Sequence, residues 1–162
     1  MGPFFLWINK ATIYILAITF LLGVISRPGF DFTGAHSLTG LSASVLGLFG
    51  LVAIMFFLLA TGGYMKELLK GGSDEKEFSR RIASLKMSVY PWCTLEIALL
   101  IAVTVAGGGL LSGAPVYWHH LALSILTLAA YIKTYKISKI SFLENRELLK
   151  SVLEKKKDIP KP

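Results

Sequence analysis

"LTGLSASVLGLFGLVAIMFFLLATGGY", Leu38 to Tyr64, runs from end to end without an Asp, Glu, Lys or Arg. A bilayer core about 30 Å thick is crossed by roughly 20 apolar residues in a helix, so this stretch is long enough to span one. Similar blocks lie at Trp7 to Ser26, Val89 to Leu111 and Pro115 to Ile132. Across the 162 residues, 54% are hydrophobic and the mean hydropathy is +0.61, gathered into blocks rather than spread as in a soluble core. Leu, Ile, Ala and Gly dominate and strand alternation is absent, so helices rather than a barrel satisfy the backbone in lipid. The expectation is an all-α integral membrane bundle of four helices, occupying residues 1–140.

The first block does not read as a cleavable signal peptide. Asn9 and Lys10 precede its apolar run, which ends in Ile25-Ser26-Arg27-Pro28 with no A-x-A site. Cys93 is the only cysteine, which excludes an intrachain disulfide and thiolate-rich metal or iron–sulfur sites within the chain.

Basic residues set the expected orientation. Of 17 Lys and Arg, six lie between Met65 and Ser88 and nine from Lys133 onward; Lys10 and Arg27 complete the set. The positive-inside rule then puts both termini and the central loop in the cytoplasm. The connections Arg27 to Ser37 and Leu111 to Ala114 face outside. The net charge of +7 is explained by topology and anionic lipid, which leaves no need for a nucleic-acid partner.

Two cytoplasmic segments follow. "KGGSDEKEFSRR", Lys70 to Arg81, reads as a solvated connector with a short helix beginning at Ser73. In "SFLENRELLKSVLEKKKD", Ser141 and Glu144 make a capping box, and Phe142, Leu149, Val152 and Leu153 form a partial apolar stripe. Residues 141–162 are therefore expected as an amphipathic cytoplasmic helix with a basic tail, lying on the membrane or a partner subunit.

The polar residues inside the apolar blocks carry the functional signal. His119 and His120 fall one turn into the fourth helix, below Pro115 and the interfacial pair Tyr117 and Trp118. His36 opens the second helix, which starts on the same side of the membrane. All three imidazoles thus share a similar depth, on two helices running in the same direction, which can be diagonal neighbours in a four-helix bundle. His36 shares a face with Gly40, Ala43, Gly47 and Gly50, a small-residue stripe suited to close packing or to room for a flat macrocycle. His120 shares a face with Ser124, Thr127, Tyr131 and Thr134, and His119 one with Ala122, Leu123, Leu126 and Ala130. Polar groups turn away from lipid, which makes His120 the inward candidate.

Two neutral imidazoles across a bundle suit the axial positions of one b-type haem, with His36 and His120 as ligands to iron, His119 as the substitute, and Gly40 and Gly47 beside the ring. Arg27 is the candidate cation for the propionates, assisted by Tyr117 and Trp118. A second reading gathers Asp31, His36, His119 and His120 around zinc or copper; a third has the histidines merely bonding between helices. Glu96, in "YPWCTLEIALLIAV" (Tyr90 to Val103), lies near the middle of the third helix, where a carboxylate must protonate or find a partner. Its candidate roles are a proton relay, a quinol hydrogen-bond acceptor, or a neutral acid bonded to another helix. Pro91 starts or kinks that helix, and Cys93 is a small core residue.

Four helices, His36 opposite His120 or His119, and positive cytoplasmic loops resemble the small b-type cytochrome membrane subunits of quinone-linked oxidoreductases. The resemblance implies one haem b near the outer face, electron transfer between the quinone pool and a redox partner, companion membrane subunits, and a prokaryotic cytoplasmic membrane. With three histidines, a second bis-His haem has no ligand set. The alternative function is a cofactor-free structural or assembly subunit of a larger complex. Transport is disfavoured by the lack of an inverted repeat. Hydrolysis is disfavoured by the lack of G-x-S-x-G, H-E-x-x-H and GxxxxGK[ST] motifs, and the clusters Gly62-Gly63, Gly71-Gly72 and Gly107-Gly108-Gly109 read as helix ends.

Overall fold

Thr33 to Leu69 forms one uninterrupted 37-residue helix in the computed structural model, which describes residues 2–26, 32–72, 74–111, 113 and 117–157. It is α2, preceded by α1 (Gly2–Ile25) and followed by α3 (Glu75–Leu111) and α4 (Tyr117–Lys157). Among the described residues, α2 and α4 each pack against both α1 and α3 and meet each other across the diagonal, whereas α1 and α3 do not touch. The expected all-α four-helix bundle is the architecture found.

The distribution of polarity is that of a protein in lipid. Trp7, Leu38, Phe56 and Val105 point outward and are more than half exposed, while Asn9, Thr12, Ser44, Glu96, Thr127, Thr134 and Ser138 are buried. A soluble protein leaves no such continuous apolar exterior unpartnered, and a lipid-facing helix hides its polar side chains. α1, α2 and α3 are each long and apolar enough to cross a membrane. α4 is not among them: its apolar run from Leu121 to Ile132 is short, closed by His119 and His120 at one end and by Lys133, Lys136 and Lys139 at the other.

The inward faces interlock by close approach. A Cβ at Gly50 would stand 2.7 Å from Asn9 Nδ2, and one at Gly47 3.0 Å from Leu100 Cδ1 and 3.2 Å from Tyr131 Cε2. These glycines let side chains of three helices reach the α2 backbone, the packing device of membrane helices. Thr61 and Asn145 pair at 3.2 Å across an offset of 84 residues, and the contacting pairs Gly47/Tyr131 and His36/His120 keep the same offset. α2 and α4 therefore run parallel and in register from the histidines to the basic end.

Three expectations are corrected here. The tail is no separate helix: α4 is continuous for 41 residues, and Ser141 and Asn145 bond sideways to Ser88 and Thr61 instead of capping a new start. The Lys70 to Arg81 connector is mostly helix, because α3 begins at Glu75 and buries Phe78; Ser73 lies outside the described residues. Gly62-Gly63 and Gly107-Gly108-Gly109 lie inside α2 and α3 rather than beyond them, and Pro91 sits within α3 without ending it. Gly71 alone of these clusters has a left-handed backbone, φ 77°, at the turn where its N–H donates to Glu75 Oε2 at 2.9 Å.

At the basic end the three long helices outlast α1 and form their own apolar joint. Met65, Phe78, Ile82, Leu85, Leu148 and Val152 are its buried core. Lys155 bonds Asp74 and lies 5.0 Å from the Phe78 ring centre, tying the end of α4 to the start of α3. Ile82→Ala is expected to cost about 2–5 kcal/mol through the cavity it leaves. Met87→Ala, at a side chain 71% exposed, should stay within about 0.5 kcal/mol. Chemical denaturation in micelles distinguishes the two.

Candidate functional site

At the opposite end the four helices part around a cavity of about 550 Å³, a volume typical of small-molecule and cofactor sites. Each helix supplies wall residues: Leu16 to Val24 of α1 with Ser26 just beyond it, Thr33 to Ser44 of α2, Val103 to Leu110 of α3 and Tyr117 to Leu128 of α4. The lining is largely aliphatic. Its polar groups are His36, His120 and the hydroxyls of Thr19, Ser37, Ser44, Thr104, Ser124 and Thr127, among others.

The two imidazoles face each other. Their ring centres are 6.0 Å apart and their planes cross at 86°. His36 Nδ1 donates to the Thr19 carbonyl at 2.8 Å. That carbonyl only accepts, so Nδ1 carries a proton and, in the neutral tautomer, Nε2 is the nitrogen with the lone pair, the arrangement by which ligating histidines are oriented. His120 Nδ1 is buried with no hydrogen-bond partner among the described residues, the Val103 carbonyl being near but outside bonding geometry. Ser124 Oγ donates to the His120 carbonyl at 2.7 Å. A buried imidazole nitrogen left without a protein partner is a place where water or a ligand is expected.

Glycines position both rings. A Cβ at Gly23 of α1 would stand 2.7 Å from His36 Cε1, and a Cβ at Gly107 of α3 would stand 3.1 Å from His120 Cε1. Each histidine thus lies against the bare backbone of a neighbouring helix. Sequence reading missed both: Gly107 was absorbed into an apparent helix end, and Gly23 stood alone in its block. Aligning the helices by depth, with His36 as marker, is the signal that finds them.

The remaining candidates separate. His119 is exposed and does not line the cavity. Gly40 lines it, while Gly47 lies below the floor, filled by Leu100, Thr12 and Tyr131. Tyr117 stands at the mouth, in edge contact with an outward Trp118 at 5.3 Å. Arg27 and Asp31 lie outside the described residues, as does Pro115. Among the described residues no three His, Cys, Asp or Glu side chains gather into a metal-ligand group, so the multi-ligand zinc or copper reading finds no cluster there.

Glu96 is wholly buried and is not part of the cavity wall. It lies seven residues before Val103, the deepest α3 wall residue, or about 10 Å along the helix. A quinol in the cavity would not reach it. Its two oxygens have no hydrogen-bond partner among the described residues, so the expected bond to another helix is not formed.

Gly107→Val should overpack the His120 ring and cost about 1–3 kcal/mol. Gly108→Val, where an added Cβ meets nothing within 4 Å, should change stability by no more than about 0.5 kcal/mol; denaturation in micelles compares them. No family model matches this chain, and neither the curated proteins nor the solved structures contain a match to it.

Proposed function

We propose that this chain is a b-type cytochrome subunit of a membrane electron-transfer complex, carrying one haem between His36 and His120 and passing electrons between the quinone pool and a redox partner. The facing pair of imidazoles carries the reading. His36 and His120, whose ring centres lie 6.0 Å apart, are the residues that would hold the haem iron through neutral imidazole nitrogens. The cavity between them has aliphatic walls and about 550 Å³ of space. Bound there, haem supplies reversible one-electron chemistry.

The chain's own residues hold and tune the site. Thr19 fixes the His36 ring through its carbonyl, and Gly23 and Gly107 let the two imidazoles retreat against backbone. Leu16, Phe20, Val103 and Leu128 exclude water, which bears on the redox potential. Tyr117 of the cavity wall and, from the sequence reading alone, Arg27 are the proposed partners of the propionates.

The proposed topology is four crossings with both termini cytoplasmic, α4 completing the bundle with its short apolar run while the exposed Lys133 lays its amine over the Trp92 ring, 3.8 Å from Nζ to the ring centre. A membrane-impermeant thiol reagent tests it. In a Cys93→Ala background, Ser151→Cys should label only from the cytoplasmic side; labelling from outside reverses the orientation.

Protein purified with its cofactors retained is expected to show a low-spin b-type haem in its reduced-minus-oxidised optical spectrum. His36→Ala and His120→Ala should each abolish the bis-His signature, and His119→Ala should keep it. A sample without a haem band overturns the cytochrome reading; co-purification of that sample with a larger complex would indicate the structural subunit instead.

A further inference from the structure

Below the cavity, the inward face of α4 continues as a column of hydroxyls. Thr127, Tyr131, Thr134, Ser138 and Ser141 follow one another at alternating steps of four and three residues, and none is more than 3% exposed. These are the positions that face the bundle core in a packed helix, and ordinary cores fill them with aliphatic side chains. Small hydroxyl residues also serve close packing, so the column alone assigns nothing.

Glu96 supplies the second observation. Its carboxyl group is fully buried at the core of α3, with neither oxygen hydrogen-bonded among the described residues. Thr127 Oγ1 and Ser138 Oγ, on the facing column, are likewise buried without a partner in bonding geometry among the described residues, the Cys93 thiol being the near neighbour of Ser138. These four unpaired oxygens belong to two helices that pack against each other, and internal water makes two to four hydrogen bonds per molecule to buried groups of this kind.

The column has two ends. Towards the histidines, Thr127 is both a member of the column and part of the cavity wall. Towards the basic end, Ser141 hydrogen-bonds Ser88 at 3.2 Å, and Ser88 is exposed. The groups facing Glu96 are few. Cys93, one turn away on α3, and Tyr131 on α4 are the titratable neighbours close enough to interact with it electrostatically. Tyr131 is committed by its hydroxyl, which donates to Asn9 Oδ1 of α1 at 2.6 Å. At this level α2 presents Gly50 and Leu51, which do not titrate, and the amines of Lys10 and Lys133 lie on outward-facing side chains.

We propose that Glu96 is a proton-exchange site midway along a hydroxyl-lined path from the Ser88–Ser141 pair to the floor of the histidine cavity. In each passage the carboxyl O–H gives its proton towards Thr134 and Thr127, and the carboxylate left behind takes one from the Ser138 side. Glu96 ends as it began, and one proton has moved from the basic end to the cavity. Where an electron resides between His36 and His120, which rests on the cytochrome reading, a proton on this path offsets its charge.

Infrared spectroscopy of the full chain in lipid vesicles reads the carboxyl directly and does not require haem. The wild type should show a protonated-carboxyl C=O band, absent in Glu96→Gln and displaced in Glu96→Asp, that shifts promptly on transfer to deuterated buffer. Ser138→Val should slow that shift and Ser138→Thr should preserve it. A Glu96 band that fails to exchange in the folded wild type, or exchange equally fast in Ser138→Val, overturns the path. In haem-loaded protein the midpoint potential should fall as pH rises, because reduction then takes up a proton, and should lose this slope in Glu96→Gln. Equal slopes in the two proteins overturn the coupling; absence of haem shows in the optical spectrum and defeats the cytochrome reading alone.

Discussion

Everything in this bundle depends on its exterior being as apolar as its core, with the few polar side chains turned inward. With aliphatic and aromatic side chains turned outward, burial of apolar area does not discriminate between protein and lipid as neighbours, and helix association rests on close packing and interhelical hydrogen bonds. Each pair of packed helices has at least one. His36 reaches the Thr19 carbonyl between α2 and α1, Tyr131 reaches Asn9 between α4 and α1, and Ser44 pairs with Thr104 between α2 and α3. Asn145 pairs with Thr61 between α4 and α2, and Ser88 with Ser141 between α3 and α4. These bonds fix the relative height of the helices, and the shared height of the two histidines follows from them.

The site is therefore a product of register rather than of any local motif. One bond of the set, from His36 to Thr19, both locks α1 against α2 and settles which ring nitrogen is protonated. The glycines act in the same double sense: Gly47 and Gly50 bring helices together, while Gly23 and Gly107 use the same closeness to seat an imidazole. Below the floor, Tyr131, Leu100 and Thr12 fill the space beside Gly47; above it the helices leave the cavity.

Much of this was legible in the sequence because lipid imposes a simple rule on each helix. The run from Leu38 to Tyr64 announced a helix in a membrane, and the polar face of the fourth block distinguished His120 from His119 before any neighbour was known. Pairwise relations were not legible. Gly107 looked like a helix end because three consecutive glycines depress helix propensity, and only the packed imidazole explains why one of them is needed inside α3. The 141–157 segment looked like a separate helix because Ser141 and Glu144 match a capping signal; interhelical bonds claimed Ser141 and the helix ran on. The apolar joint at the basic end was hidden for the same reason, since Phe78 and Val152 are far apart in sequence and meet only when both helices overrun α1.

The central claim is that His36 and His120 share one metal centre with crossed ring planes. Electron paramagnetic resonance of the oxidised, cofactor-retaining protein tests it most directly, because the low-spin ferric signal responds to the angle between two axial imidazoles. With planes crossing at 86°, the account predicts a single, strongly anisotropic low-spin signal that disappears in His36→Ala and in His120→Ala. A high-spin signal in the wild type, or no iron signal at all, would contradict it.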